Sequence, residues 1–126
     1  MAKAILNGQK IFGNVHLGEG GGSAPVKILE NGVISTDSSY ATASFSDISD
    51  YEYVLIRFRT TVSGVDYDVC KYIAVSELSS EKTFSITLHR NVTVGLTTTT
   101  IRAIDYSGSY YYIYADIVGF TEDIFS

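Results

Sequence analysis

The sequence has little cysteine, proline or tryptophan: one Cys, one Pro and no Trp in 126 residues. A single cysteine excludes an internal disulfide framework and any metal site built from several thiolates. The longest apolar run is the six residues Tyr110 to Ala115, which is too short to cross a membrane. Lys3 precedes only the apolar residues Ala4, Ile5 and Leu6, so we expect no secretory signal here.

Charge is also sparse, and its balance is acidic. Charged residues make up 18% of the chain, and the net charge is -5. An acidic chain repels the phosphate backbone of nucleic acids, so we do not expect a nucleic-acid partner. The short apolar runs likewise predict no membrane partner. Hydrophobic residues make up 45%, which is enough to build a core in a single domain of this length.

Side chains that suit strands are abundant. The chain has 24 valines and isoleucines, ten tyrosines and six phenylalanines. These residues pack well on a pleated surface and lose rotamer freedom in a helix. Apolar and polar residues alternate with period two, as in Thr83–His89. The pattern predicts an all-β fold, an antiparallel sandwich that is jelly-roll-like, with strands near 40–46, 51–62, 65–75, 82–89, 91–96, 98–104 and 109–119.

Glycine divides the chain into three parts. Asn7-Gly8 supplies the two positive-φ residues of a tight hairpin, and six of the eleven glycines lie in the first 22 residues. We therefore predict an N-terminal anchoring hairpin over 1–18, a Gly-rich linker over 19–23 and a β-sandwich domain over 24–126. A second pair, Asn31-Gly32, predicts another hairpin, between strands Val26–Glu30 and Val33–Thr36.

Residues with catalytic or metal-binding chemistry do not form a recognised constellation. Cys70 has only His16 and His89 as candidate bases, so we interpret it as a small buried apolar residue. Asp66 with Asp68, and Asp47 with Asp50, invite a calcium or an acid–base interpretation. A calcium ion needs about six to eight oxygens, which neither pair provides alone. We interpret Asp66 and Asp68 as solvated and place Asp47 and Asp50 in a loop. We predict no enzyme, no metal site and no cofactor.

The last long strand carries the one unusual constellation. Tyr110, Tyr112 and Tyr114 repeat with period two and are predicted to line the outward face, opposite Tyr111, Ile113, Ala115 and Ile117. Arg57 and Arg59 have the same spacing and could extend this surface on a neighbouring strand. Tyrosine combines an apolar ring with a hydroxyl, so these five residues are predicted to bind a ligand such as a sugar. The alternative is that the tyrosines pack under a loop or against a second copy.

Three segments resemble proteins of tailed bacteriophages. Ala2–Gly13 resembles the start of small virion proteins from phages and prophages of Gram-positive hosts. Gly108–Phe120 resembles the closing strand of tail-fibre and receptor-binding head modules, and Ile48–Ile56 is similar to a loop and buried strand of those modules. Such families vary most at their binding loops, so the resemblance transfers no site residue.

This resemblance implies a virion protein made in the cytoplasm of the bacterial host. Its expected partners are other virion proteins, copies of itself in a trimer, and a host-surface glycan. The leading interpretation is a tail, baseplate or fibre component with an adhesin-like domain. The alternatives are a capsid decoration or head-fibre protein, a carbohydrate-binding module, and a small hydrolase.

Overall fold

The computed structural model describes residues 25–106, 108 and 111–121. The hairpin and linker predicted for residues 1–23, and Tyr110, lie outside this part of the chain. The described residues form eight strands: β1 (Val26–Ser35), β2 (Thr42–Ser44), β3 (Tyr53–Val62), β4 (Val65–Ala74), β5 (Lys82–Leu88), β6 (Arg90–Leu96), β7 (Thr100–Tyr106) and β8 (Ile113–Phe120). A 3₁₀ turn, Val75–Glu77, follows β4.

The strands form two antiparallel four-stranded sheets. The first sheet has the order β1-β8-β3-β4, and the second has the order β2-β7-β6-β5. The first strand pairs with the last and the second with the last but one, as in a rolled antiparallel ribbon. β3–β4 and β5–β6–β7 are instead joined as consecutive antiparallel neighbours. The all-β sandwich predicted from the alternation is confirmed.

The alternating apolar residues fill the space between the two sheets. Val54, Ile56 and Phe58 of β3 are fully buried, and Ile113 and Ile117 of β8 are buried beside them. The second sheet contributes Ile86, Leu88, Val92, Val94, Leu96 and Ile101 to the same cluster. No helix among the described residues is long and apolar enough to cross a membrane.

A two-residue turn fixes the register of the β3–β4 hairpin. Ser63 and Gly64, with φ of 53° and 78°, are both left-handed, as a type I′ turn requires. The turn pairs Val62 with Val65, and the ladder then continues without a shift. Side chains of β4 are therefore held at defined positions opposite those of β3.

The hairpin predicted at Asn31-Gly32 is wrong, because β1 runs through this pair as one strand. Only Asn31 has a positive φ, 57°, whereas a type I′ turn needs two such residues. The pairing of β1 with β8 shifts register between Leu29 and Gly32, so the pair forms a bulge. The Asn31 N–H donates to Asp116 Oδ1 over 2.7 Å, a contact with a strand distant in sequence.

The last strand begins later than predicted, at Ile113. Tyr111 precedes it and is half-buried, with its ring 4.8 Å from that of Tyr106 and its hydroxyl donating to the Leu88 carbonyl. Desolvation by this packing raises the pKa of the Tyr111 phenol. Tyr111 is thus attached to the end of the sandwich.

Candidate functional site

The outer face of the first sheet brings together four of the five residues predicted to bind a ligand. β3 and β8 are neighbours, and their register places Arg59 opposite Tyr114 and Arg57 opposite Asp116. Side chains at alternate positions of each strand point to the same side of the sheet. Tyr112, which precedes β8, extends the row formed by Tyr114, and the fifth residue, Tyr110, lies outside the described residues.

These side chains line a groove of about 570 Å³, which we call the tyrosine groove. Its lining residues come from β3, β4 and the start of β8: Arg57, Arg59, Thr60, Thr61, Asp66, Tyr67, Asp68, Tyr112 and Tyr114. Arg57 and Arg59 also line a flanking depression of about 190 Å³, which extends toward Lys27 and Glu30 of β1. Concave sites with a few convergent polar groups are the usual form of ligand-binding sites.

Two tyrosine rings form the aromatic side of the groove. Tyr112 and Tyr114 have ring centroids 6.1 Å apart and planes inclined by 13°. The Arg59 guanidinium lies 5.5 Å from the centroid of Tyr114, within the range of a cation–π contact. Tyr112 is 44% exposed, so its ring is available to a ligand. The hydroxyl of Thr60 donates to the Tyr112 carbonyl and holds this segment against β3.

Asp116 fixes the arginine beneath Tyr114. It points outward, as alternation predicts, yet it is only 6% exposed because Arg59 and Asn31 cover it. Arg59 donates from Nε to Asp116 Oδ2 over 2.7 Å and from Nη2 to Oδ1 over 3.2 Å. The same Nη2 donates to Asn31 Oδ1. The fork geometry of a bidentate pair restricts the guanidinium to one orientation.

The opposite side of the groove is formed by two carboxylates of β4. Asp68 accepts from Arg57 Nε over 3.1 Å and lies 3.0 Å from Arg57 Nη2. Asp66 accepts from the Thr61 hydroxyl over 2.6 Å. Both aspartates are exposed and each has a partner, so neither is arranged as a buried general acid.

Cys70 lies on the same outer face, opposite Arg57 in the ladder. Burial raises the pKa of its thiol to about 11, and the neighbouring charge of Asp68 adds to the effect. A thiol with this pKa is almost entirely protonated at neutral pH and is a poor nucleophile. Cys70 is half-buried rather than fully buried, and it packs against the cluster of Leu55, Val118 and Phe120.

The remaining residues singled out in the sequence lie away from the groove or in turns. Asp47 accepts from the backbone N–H of Ser49 over 2.8 Å and from its hydroxyl, and these bonds lower its pKa. His89, with φ of 70°, forms the turn between β5 and β6, and its ring centroid lies 5.1 Å from that of Tyr67. In the described ranges, no three His, Cys, Asp or Glu residues are grouped to hold a metal ion.

Sequence reasoning missed the contribution of β4 to the groove. Four residues of this hairpin line the groove: Thr61, Asp66, Tyr67 and Asp68. The sequence pattern alone indicates the two aspartates only as a pair on one face of a strand. The two-residue gap between the predicted strands 51–62 and 65–75 contained the missing signal. Counting back from a two-residue turn places Asp68 opposite Arg59 and Asp66 opposite Thr61, as observed.

Comparisons with known proteins give no relative for this chain. No protein-family model, no curated protein and no solved structure matches it. The functional argument therefore depends on the geometry of the tyrosine groove.

Proposed function

We propose that this chain is a non-enzymatic recognition module that binds a glycan in the tyrosine groove. The observation that carries the proposal is the groove itself, with the near-parallel rings of Tyr112 and Tyr114 beside the fixed guanidinium of Arg59. An aromatic ring packs against the C–H groups of a sugar ring, while neighbouring polar groups bond to its hydroxyls. The groove offers both kinds of contact within one concavity.

Preorganisation supports this role. Tyr114 lies in a strand, Arg59 is held by two bonds to Asp116, and Thr60 anchors the segment that carries Tyr112. A site that is already ordered loses little conformational entropy when a ligand binds. Tyrosine also has few rotatable bonds, which lowers this cost further.

In its biological setting, we propose that the module is the adhesin-like domain of a bacteriophage tail, baseplate or fibre component. The support is the resemblance of three segments to virion proteins of tailed phages. We propose that the sandwich assembles as a trimer, as identical subunits of a virion appendage do. Several weak binding sites on identical subunits then raise the overall affinity by avidity. The ligand would then be a glycan of the bacterial surface.

The direct test is binding of the purified chain to a glycan array, followed by titration of the best saccharide. Tyr112→Ala is expected to weaken binding by roughly 1–3 kcal/mol, because it removes the most exposed ring of the groove. Val26→Ala is the matched control, since Val26 is 45% exposed and does not line the groove. The melting temperatures of both variants should stay close to that of the unmodified chain.

A structural role for the same surface makes a different prediction. If the tyrosines are an interface between copies, Tyr112→Ala lowers the sedimentation mass and leaves any glycan binding unchanged. Equal binding by the unmodified chain and by Tyr112→Ala would therefore contradict the proposed site. No binding to any saccharide on the array would contradict the proposed function.

A further inference from the structure

We propose that the tyrosine groove selects uncharged saccharides and rejects anionic ones; this inference rests on the proposed function. The selectivity follows from the pairing of the cationic side chains in the groove with carboxylates of the chain. Two arginines at a binding surface would ordinarily suggest an anionic ligand, since guanidinium matches carboxylate, sulfate and phosphate geometry. Here the Nε–H and Nη2 groups of both arginines are already directed to carboxylates of the chain itself.

Each cation of the groove and its flanking depression has an internal partner among the described residues. Arg57 pairs with Asp68 at 3.0 Å, and Arg59 pairs with Asp116 at 2.7 Å. Lys27, in the flanking depression, pairs with Glu30 at 3.3 Å. An anionic ligand would therefore compete with these carboxylates for each cation.

Displacement is least favourable at Arg59. The side chain of Asp116 is only 9% exposed, so it has little access to water that could replace the guanidinium. Breaking one side of a buried ion pair leaves an uncompensated charge, which is strongly unfavourable. Asp116 also accepts the Asn31 N–H in the bulge of β1, so its position is tied to the backbone. Arg59 is therefore expected to keep its ion pair with Asp116 when a ligand binds.

The charge balance of the groove acts in the same direction. Across the groove and its flanking depression, Lys27, Arg57 and Arg59 contribute three positive charges. Four carboxylates contribute negative charges and leave this surface at -1: Glu30, Asp66, Asp68 and Asp116. The whole chain carries -5. The potential in the groove therefore opposes the approach of an anion, and this opposition weakens as salt is added.

The polar groups that face the groove suit hydroxyl-bearing ligands. Asp66 and Asp68 are exposed carboxylates, which accept hydrogen bonds from sugar hydroxyls. The hydroxyls of Tyr67, Tyr112 and Tyr114 can donate or accept. A neutral saccharide presents many donors and acceptors and no charge, which matches this lining.

The test compares matched pairs of saccharides on one array, each saccharide in a neutral form and in a sulfated or sialylated form, at low ionic strength. The unmodified chain is expected to bind the neutral form about tenfold more tightly or better. Asp68→Asn removes one carboxylate and the partner of Arg57, so it should reduce this ratio to about threefold or less. Asp105→Asn changes the net charge equally at an exposed position of the second sheet, and its ratio should stay unchanged.

The outcomes separate the two proposals. Equal or tighter binding of the charged forms by the unmodified chain would overturn the selectivity and leave glycan recognition intact. The same reduction of the ratio in Asp68→Asn and Asp105→Asn would overturn the assignment to the groove, because net charge alone would then explain the selectivity. No binding to either form of any saccharide would overturn the proposed function, and the selectivity with it.

Discussion

Asp116→Asn is the substitution whose effect the structure defines most closely. The change keeps the size of the side chain and removes its charge. Asp116 receives three donated hydrogen bonds, two from Arg59 and one from the Asn31 N–H. An amide offers one oxygen where the carboxylate offers two, and its NH₂ group would face a donor. At least one donor is left without an acceptor in a mostly buried place.

The expected cost follows from the burial of the pair. Side-chain exposure is 29% for Arg59 and 9% for Asp116, so the pair lies between a surface ion pair and a fully buried one. Hydrogen bonds to charged groups contribute about 1.5–3 kcal/mol each, and breaking a buried pair costs about 3–5 kcal/mol. After allowance for solvent around Arg59, we expect the free energy of unfolding to fall by about 2–4 kcal/mol. For a domain of this size, the melting temperature should fall by roughly 10 °C.

The assay is urea unfolding followed by tyrosine fluorescence, together with a thermal melt. Asp68→Asn is the matched control, because its ion pair with Arg57 is more exposed on the aspartate side, at 36%, and should cost less than about 1 kcal/mol. Equal, small effects of the two substitutions would refute the reasoning, since they would mean that Asp116 is solvated like a surface residue.

Three further predictions concern other parts of the chain. Phe58→Ala should lower the free energy of unfolding by about 3–5 kcal/mol in urea unfolding, since Phe58 is fully buried between the sheets; a loss below about 1 kcal/mol would contradict this packing. Cys70 should react with iodoacetamide at pH 8 roughly a hundredfold more slowly than a free cysteine, because its pKa is raised to about 11 from 9.0. The same rate of reaction in the folded and the urea-unfolded chain would contradict this raised pKa. The hydrogen bond from Arg102 lowers the pKa of Glu81 below its ordinary 4.5. This pair therefore stabilises the fold above pH 4.5, and the contribution is lost as pH falls through the lower pKa of the folded chain. The difference in melting temperature between the unmodified chain and Glu81→Gln should shrink on acidification, and a constant difference would count against this prediction.

The strands could be predicted from the sequence because a period of two reports directly which side of a sheet a residue faces. Val54, Ile56 and Phe58 stand at alternate positions of β3 and therefore share one face, and all three are fully buried. The buried face of a strand can be predicted from the alternation of apolar and polar residues within that strand, without knowledge of distant residues. The juxtaposition of Arg59 with Tyr114 required in addition that β3 and β8 be neighbours, which the sequence suggested but did not determine.

Other features depended on contacts between distant parts of the chain. Asn31-Gly32 has the composition of a hairpin turn, yet its backbone forms a bulge whose N–H is bonded by Asp116, 85 residues away. A left-handed asparagine suits both structures, so local sequence could not distinguish them. Asp116 faces outward and is nevertheless buried, because Arg59, 57 residues earlier in the chain, packs against it. The ion pair with Arg59 is visible only once the strand order is known.

The most direct test of the account is to locate the bound saccharide on the chain. In an NMR titration with the neutral saccharide that binds best on the array, we expect the largest shift changes at the amides of Tyr112 and Tyr114 and at the Nε–H of Arg59, which line the tyrosine groove. Backbone signals near the depression formed by Ser49, Tyr51 and Ser76, at another part of the surface, should stay unchanged. Shift changes centred on that depression, or none at saturating saccharide, would contradict the assignment of the groove as the binding site.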